Sequence, residues 1–285
     1  MSAIRPSRKR NIASIRAQKG GDQIICLTAY TALMADILDP HVDVLLVGDS
    51  VGTVLHGHDT TIPVTVDDMI FHGRSVARAN LKSLLVIDVP FGSFEASPEQ
   101  AYQTATRILK ETGADAVKIE GGVTQAPTIE FLVNRGVPVM AHIGLRPQAV
   151  RATGGYRIVG KTNEECLELK EDAQAVSKAG AFSVVLEGVV ESLAAEITKE
   201  IDIPTIGIGA SPACDGQVLV TEDMLGMFDK TAKFVRKFAN LRNVISDAAS
   251  QYASEIRAGT FPTEAETYSA DKTATPLPVK KAGQQ

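Results

Sequence analysis

Acids and bases stand at the ends of short apolar runs throughout the first two thirds of this chain. Val44-Leu45-Leu46-Val47 passes through Gly48 into Asp49 and Ser50, and Leu84-Leu85-Val86-Ile87 ends on Asp88. Ala116-Val117 continues through Lys118 and Ile119 to Glu120, Val137-Pro138-Val139-Met140 leads to His142, and Ser183-Val184-Val185-Leu186 ends on Glu187. Runs that are apolar at every position read as strands buried on both faces. A single acid at a strand end has an ordinary explanation as a cap or turn residue. Recurrence on successive strands points instead to one shared pocket.

Two or three carboxylates gathered in this way could hold Mg2+, which takes oxygen ligands and leaves positions for water or substrate. Such a cation can chelate a small 2-oxo acid and stabilise the enolate formed when the neighbouring carbon loses a proton. Lys118 could balance the carboxylates and hold a substrate carboxylate, or it could be half of a buried ion pair. Glu187 lies farthest along from the Asp49 and Asp88 pair, which suits an acid or base better than a ligand. His142 fits a substrate hydrogen bond or a satisfied core histidine equally well. His56 and His58 fit either a lid or a solvated loop, and all three histidines stay outside the assigned site. Cys26, Cys166 and Cys214 form no C-x-x-C pair, so neither zinc nor a disulfide framework is indicated.

The elements that must position these groups alternate. Strands are predicted over 24–28, from 44, and over 84–88, 115–120, 137–142, 183–187, 204–208 and 218–220. Helices are predicted over 31–38, 66–80, 98–112, 126–135, 163–178 and 191–200, with helical stretches over 222–258. Ser14 is expected to cap a short helix ending at Gly20-Gly21, and Ser97-Pro98-Glu99-Gln100 reads as a capping box with proline at the first helical position. Residues 51–66 and 143–162 are predicted as long loops of the kind that form lids or binding surfaces. Eight strands alternating with helices favour an α/β fold of the (β/α)8 TIM barrel type, whose strand ends converge at one face. A doubly wound sheet would bind dinucleotide through G-x-G-x-x-G after its first strand, and Thr28-Ala29-Tyr30 offers no such turn. Gly207-Ile208-Gly209 allows either a phosphate site or a tight turn.

At 285 residues, with 44% hydrophobic and 22% charged, the chain can bury a large core. The domain reading is a basic N-terminal arm over 1–13, one barrel over 14–268, and a disordered tail over 269–285 rich in Thr, Ala, Pro and Lys. The first twenty residues carry no acid, which suits a solvated arm or an organellar transit segment. A net charge of -5 without a basic stripe argues against nucleic acid. No apolar run approaches the roughly 18 to 20 residues of a membrane span. The cysteine usage fits a reducing cytoplasm.

Longer motifs carry a resemblance. Val47-Gly48-Asp49-Ser50, Gly57-His58-Asp59-Thr60-Thr61 and Pro63-Val64-Thr65-Val66-Asp67-Asp68-Met69 resemble the ketopantoate hydroxymethyltransferase family. So do Asp88-Val89-Pro90-Phe91-Gly92, Val117-Lys118-Ile119-Glu120-Gly121-Gly122, His142-Ile143-Gly144-Leu145 with Pro147-Gln148, Gly154-Gly155-Tyr156, Val185-Leu186-Glu187 and Gly207-Ile208-Gly209-Ala210, in the same order. The resemblance spans about residues 15–268. It implies a barrel of the phosphoenolpyruvate/pyruvate superfamily that passes a hydroxymethyl group from 5,10-methylenetetrahydrofolate to 3-methyl-2-oxobutanoate, giving 2-dehydropantoate for pantothenate synthesis. Carried over by motif, Asp49 and Asp88 correspond to Mg2+ ligands, with Glu120 as a further ligand or a partner behind them. Asp49, Ser50, Asp88 and Lys118 correspond to 2-oxo acid contacts, and Glu187 to the catalytic acid or base. The resemblance also implies a homo-oligomer, a decamer in many members.

The chain departs from the family's usual pattern at Thr31, where Asp is common, and at Ser211, where Gly is common. A mutase or carbon–carbon lyase of the same superfamily is a rival reading, lowered by the lack of the lyase Lys-Lys-Cys-Gly-His motif. A non-catalytic barrel is a second rival, opposed by the intact set of charged groups.

Overall fold

The computed structural model describes residues 9–268. Its strands are β1 (Ile24–Thr28), β2 (Val44–Val47), β3 (Leu84–Asp88), β4 (Ala116–Glu120), β5 (Val139–Gly144), β6 (Ser183–Glu187), β7 (Thr205–Ile208) and β8 (Gly216–Leu219). Each pairs in parallel with its successor, and β8 closes on β1. The result is the expected (β/α)8 barrel.

Side chains alternate across a strand, so each strand feeds two cores. Leu45, Val47, Leu85, Ile87, Val117 and Ile119 point outward and pack with helical residues such as Met69, Ile108, Ile129 and Leu132. Ile24, Cys26, Val44, Leu46, Leu84, Val86, Met140, Val185 and Ile206 fill the barrel interior with Ile15. Burying a Leu or Ile completely is worth about 1.5–3 kcal/mol, so these two layers dominate the fold's stability. Ile15 belongs to the helix Ile12–Arg16, which closes the end where the strands begin.

The outer helices start and stop on local signals. Thr31, Thr65, Ser97 and Thr162 each accept a hydrogen bond from a first-turn amide, and Thr65 and Asp68 cap each other reciprocally. Gly113 ends Pro98–Thr112 in the left-handed region. At Ser97 the box is incomplete, because the Gln100 side chain reaches the amide of Ala96 rather than that of the cap residue.

Several boundaries differ from expectation. Asn11, not Ser14, caps the first helix; Ser14 sits three residues in, and its Oγ accepts a hydrogen bond from the Asn11 amide. The 51–66 segment opens with a helical turn, Val51–Val54, and the 143–162 segment contains a turn at Pro147–Ala149 and a helix at Val150–Thr153. The predicted helical stretch over 222–258 divides into Thr221–Met224 and Leu241–Ala258, with irregular chain between. The described chain forms two compact units with their boundary between Phe238 and Ala239. The second holds Leu241–Ala258, ended by left-handed Gly259, and a turn at Glu264–Glu266 capped by Thr263. The tail over 269–285 and the first eight residues of the basic arm lie outside the described residues. No helix among the described residues is long and apolar enough to cross a membrane.

Candidate active site

The interior alternation of each strand, continued past the apolar layers, lands on a charged group. Leu84 and Val86 are followed on the same face by Asp88, Ala116 by Lys118 and Glu120, Met140 by His142, and Ser183 and Val185 by Glu187. Parallel register then brings neighbours together: Asp88 lies beside Lys118, and Glu120 beside His142. Glu187 pairs one residue pair higher, beside Gly144. Asp49 comes from the wrong parity. It reaches the site because the chain turns after Gly48, where a Cβ would stand 2.8 Å from Ser50 Oγ and 3.6 Å from Asp88 Oδ2.

These groups line a cavity of about 350 Å³ at the strand ends, together with apolar Leu46, Val185, Ile208 and Val218. Asp49, Ser50, Asp88, Lys118, Glu120 and Glu187 are all in its wall, as is His142. The Asp49 amide donates to Asp88 Oδ2 at 2.9 Å, and Lys118 Nζ lies 3.0 Å from Asp88 Oδ1. Lys118 Nζ also donates to His142 Nδ1 at 3.2 Å. That bond leaves the imidazole proton on Nε2, which faces Glu187 Oε2 at 3.2 Å but off the line of a good hydrogen bond. Glu120 Oε1 lies 3.5 Å from His142 Nδ1.

One ammonium serves three buried carboxylates, and the electrostatics show it. Burial pushes the Asp88 carboxyl up to about 6; Lys118 opposes the shift and Asp49 adds to it. Burial, with Asp49 beside it, likewise drives Glu120 well above the usual carboxylate range. Burial would lower Lys118, but the carboxylates of Asp88, Glu120 and Asp49 outweigh it and hold the ammonium charged. Burial and then Lys118 lower His142, which keeps the imidazole neutral despite Glu187.

This donor set fits a hard cation. Asp88 Oδ1 has only the Lys118 ammonium, shared with its neighbours, and Glu120 Oε1 is a buried oxygen without a hydrogen-bond donor. No three His, Cys, Asp or Glu side chains among the described residues close a metal cage by themselves. What the site presents is the adjoining Asp49 and Asp88 pair, suited to an ion that keeps positions for water and substrate. Glu120 is turned toward His142 and the Gln148 amide, which donates to its Oε2 at 3.1 Å.

Two residues outside the sequence-derived set belong to the geometry. Gln148 is buried, and its Nε2 donates to Asp49 Oδ2 at 2.9 Å and to the Val89 carbonyl at 3.0 Å. Its only signal in the sequence is the Pro147-Gln148 pair. Tyr30 shares a 2.8 Å hydrogen bond with Ser50 Oγ, and burial raises its phenol so that it stays protonated. Ser50 precedes Val51–Val54 without capping it, so its hydroxyl is committed to the site. His142, open to two readings from sequence, joins Lys118 to Glu187. His56 and His58 do not line this cavity; His56 Nε2 instead meets His72 Nε2 at 3.1 Å. At Gly209, whose φ is +59°, a Cβ would stand 2.7 Å from the Phe234 ring, so a tight turn under an aromatic side chain accounts for this glycine.

The sequence model of the ketopantoate hydroxymethyltransferase family matches residues 9–264. A 3-methyl-2-oxobutanoate hydroxymethyltransferase of Phenylobacterium zucineum is 56% identical over 270 residues, covering 94% of this chain and 98% of the relative. One from Caulobacter vibrioides is 56% identical over 274 residues, covering 95% and 100%. Among solved structures, 2,3-dimethylmalate lyase of the PEP mutase/isocitrate lyase superfamily superposes with a TM-score of 0.57 at 16% identity, covering 90% of this chain and 89% of the lyase. That likeness is one of fold.

Proposed function

The chain belongs to the ketopantoate hydroxymethyltransferase family, a family of transferases, and we propose that it moves a hydroxymethyl group from 5,10-methylenetetrahydrofolate to 3-methyl-2-oxobutanoate. The observation that carries this reading is the array of buried Asp49, Asp88, Lys118, Glu120 and His142 with partly buried Glu187 around one cavity. Its excess negative charge is matched to a divalent cation chelated by a 2-oxo acid. Mg2+ on Asp49 and Asp88 would supply Lewis-acid stabilisation of the charge that develops on the keto oxygen.

The protein's own groups then have distinct tasks. Lys118 and the Ser50 hydroxyl, fixed by Tyr30, hold the substrate's carboxylate and keto end. The apolar floor of Leu46, Val185, Ile208 and Val218 receives the two methyl groups. Glu187 takes the proton from C3, with neutral His142 orienting its carboxylate. Water opens the methylene bridge: both carbon–nitrogen bonds break, the water oxygen stays on the one-carbon unit as a formaldehyde equivalent, and the two water protons go to the two folate nitrogens. The deprotonated C3 attacks that carbon, and Glu187 returns the C3 proton to the resulting alkoxide oxygen.

The test is a coupled assay with 3-methyl-2-oxobutanoate and methylenetetrahydrofolate, run with and without Mg2+. Turnover that needs all three is expected. Turnover without folate would transfer the site to a mutase or lyase reaction.

A further inference from the structure

A second cavity of about 370 Å³ adjoins the first across Glu120, lined by Phe91, Glu95, Gln125, Arg146, Gln148 and Arg151 among others. Its chemistry differs from that of the 2-oxo acid cavity. Gln148 is only 6% exposed, and both protons of its amide nitrogen are committed, to Asp49 and to the Val89 carbonyl. Those two acceptors fix the amide's orientation, because a flipped amide would set its oxygen against a carboxylate and a carbonyl. The amide oxygen is therefore left as a buried acceptor with no donor, and Gln148 lines this second cavity and not the first. Gln125 contributes another buried oxygen without a donor. A buried polar atom without a partner is costly, and a bound donor removes that cost.

The remaining wall narrows the class of ligand. Phe91 is 46% exposed and offers apolar aromatic surface to a flat ring. Glu95 is held as an acceptor by the amides of Gly92 and Phe94. Arg146 is half-buried, with the Asp172 carboxylate near enough to feel its charge, and Arg151 is exposed. A planar heterocycle rich in N–H donors and carrying a carboxylate tail satisfies all of these groups at once.

We propose that this cavity binds the reduced pterin of the one-carbon donor, with Arg146 and Arg151 receiving the carboxylates of its glutamate tail. The proposal rests on the function proposed above, because it assigns that reaction's second substrate to a place. Gln148 then touches both substrates' sites: its oxygen meets the pterin while its nitrogen holds Asp49 Oδ2. Occupation of the second cavity fixes Gln148, and through it the carboxylate proposed to hold the cation.

The experiment is calorimetric titration of the full-length protein with tetrahydrofolate and, separately, with a tetrahydropterin that lacks the glutamate tail. Arg146→Met and Arg151→Met should each weaken tetrahydrofolate by about tenfold, the value of a charge-assisted hydrogen bond, without changing the affinity of the tailless pterin. Gln125→Leu should weaken both ligands. All three positions are at least partly exposed, and a melting curve verifies that each variant folds. Wild-type affinity for tetrahydrofolate in the variants, in a protein that turns over with folate, would place the donor elsewhere and overturn this assignment alone. A wild-type protein that neither binds tetrahydrofolate nor uses it would overturn the assignment and the proposed function together.

Discussion

Carboxylates crowd both ends of this barrel, and the two sets are in opposite states. Where the strands begin, each acid is saturated. Asp43, just before β2, accepts the Ile25 amide of β1 at 3.0 Å and pairs with Arg10 at 2.6 Å. Asp115, just before β4, accepts the Leu85 amide of β3 at 2.9 Å and pairs with Lys9 at 2.8 Å. Asp215, just before β8, accepts the Thr205 amide of β7 at 2.8 Å and pairs with Lys19 at 2.9 Å. Each clamps its strand to the previous one, and the cations all come from the segment that carries the closing helix. Where the strands end, Asp49, Asp88 and Glu120 share a single lysine, which reaches Asp88 Oδ1 at 3.0 Å, and Glu120 keeps a buried oxygen without a donor. Carboxylates thus serve as staples with one cation each at one face and outnumber their cation at the other, where the proposed metal site lies, in keeping with the division of labour in such barrels. Unsatisfied charge is a stability cost that only a ligand offsets.

Breaking one acid at each end is the strongest test of that contrast. Asp49→Ala should reduce kcat by about 10³-fold or more and remove the Mg2+ dependence. Its melting temperature should hold or rise, since a like charge leaves a crowded site. Asp215→Ala should do the reverse, costing about 3–5 kcal/mol because Lys19 and the Thr205 amide lose their partner. Steady-state kinetics and denaturant melts on both variants decide the matter. Normal Mg2+-dependent turnover in Asp49→Ala would remove the metal assignment, and loss of turnover without loss of stability in Asp215→Ala would remove the contrast.

A smaller effect separates groups within the open end. Glu187→Gln should lower kcat by about 10²–10⁴-fold, the range for a lost general base, with little change in the KM for the 2-oxo acid. Hydrogen–deuterium exchange at C3 without folate should vanish in this variant and persist in the wild type. Exchange at the wild-type rate in Glu187→Gln would assign the proton to another group.

Much of this end was legible from the residues because the barrel makes it so. A buried strand that begins on apolar or small residues and ends on charge can only deliver that charge to the far end, which is why Asp88, Lys118, Glu120, His142 and Glu187 stand out. Pairing was not legible. That Asp88 meets Lys118 and Glu120 meets His142 depends on the stagger between strands, a property of the closed barrel and not of any one run. Gln148 and Tyr30 were hidden for another reason: both sit beyond strand ends, where no periodicity marks a side chain as inward. β8 begins two residues before the predicted 218–220 run, because its opening Gly216 and Gln217 lack the apolar character that marks the other strands.

The saturated end offers the finest test, through Asp39. It accepts the Lys82 amide at 2.9 Å, the Ser83 amide at 2.8 Å and the Ser83 hydroxyl at 2.7 Å, at the entry to β3. Partial burial would raise its pKa, but the bonds from Ser83 and Lys82 outweigh burial and hold it below the usual carboxylate value. A carboxyl depressed on folding stabilises the native state above its unfolded pKa, about 3.9, and that contribution disappears as pH falls through the folded value. Asp39→Asn should therefore melt about 2 °C lower than wild type, or less, at neutral pH. The two proteins should converge below about pH 4. A gap that stayed constant from pH 7 to about pH 3 would mean that the bonds act through shape alone, and that the acids at this end are not held by charge.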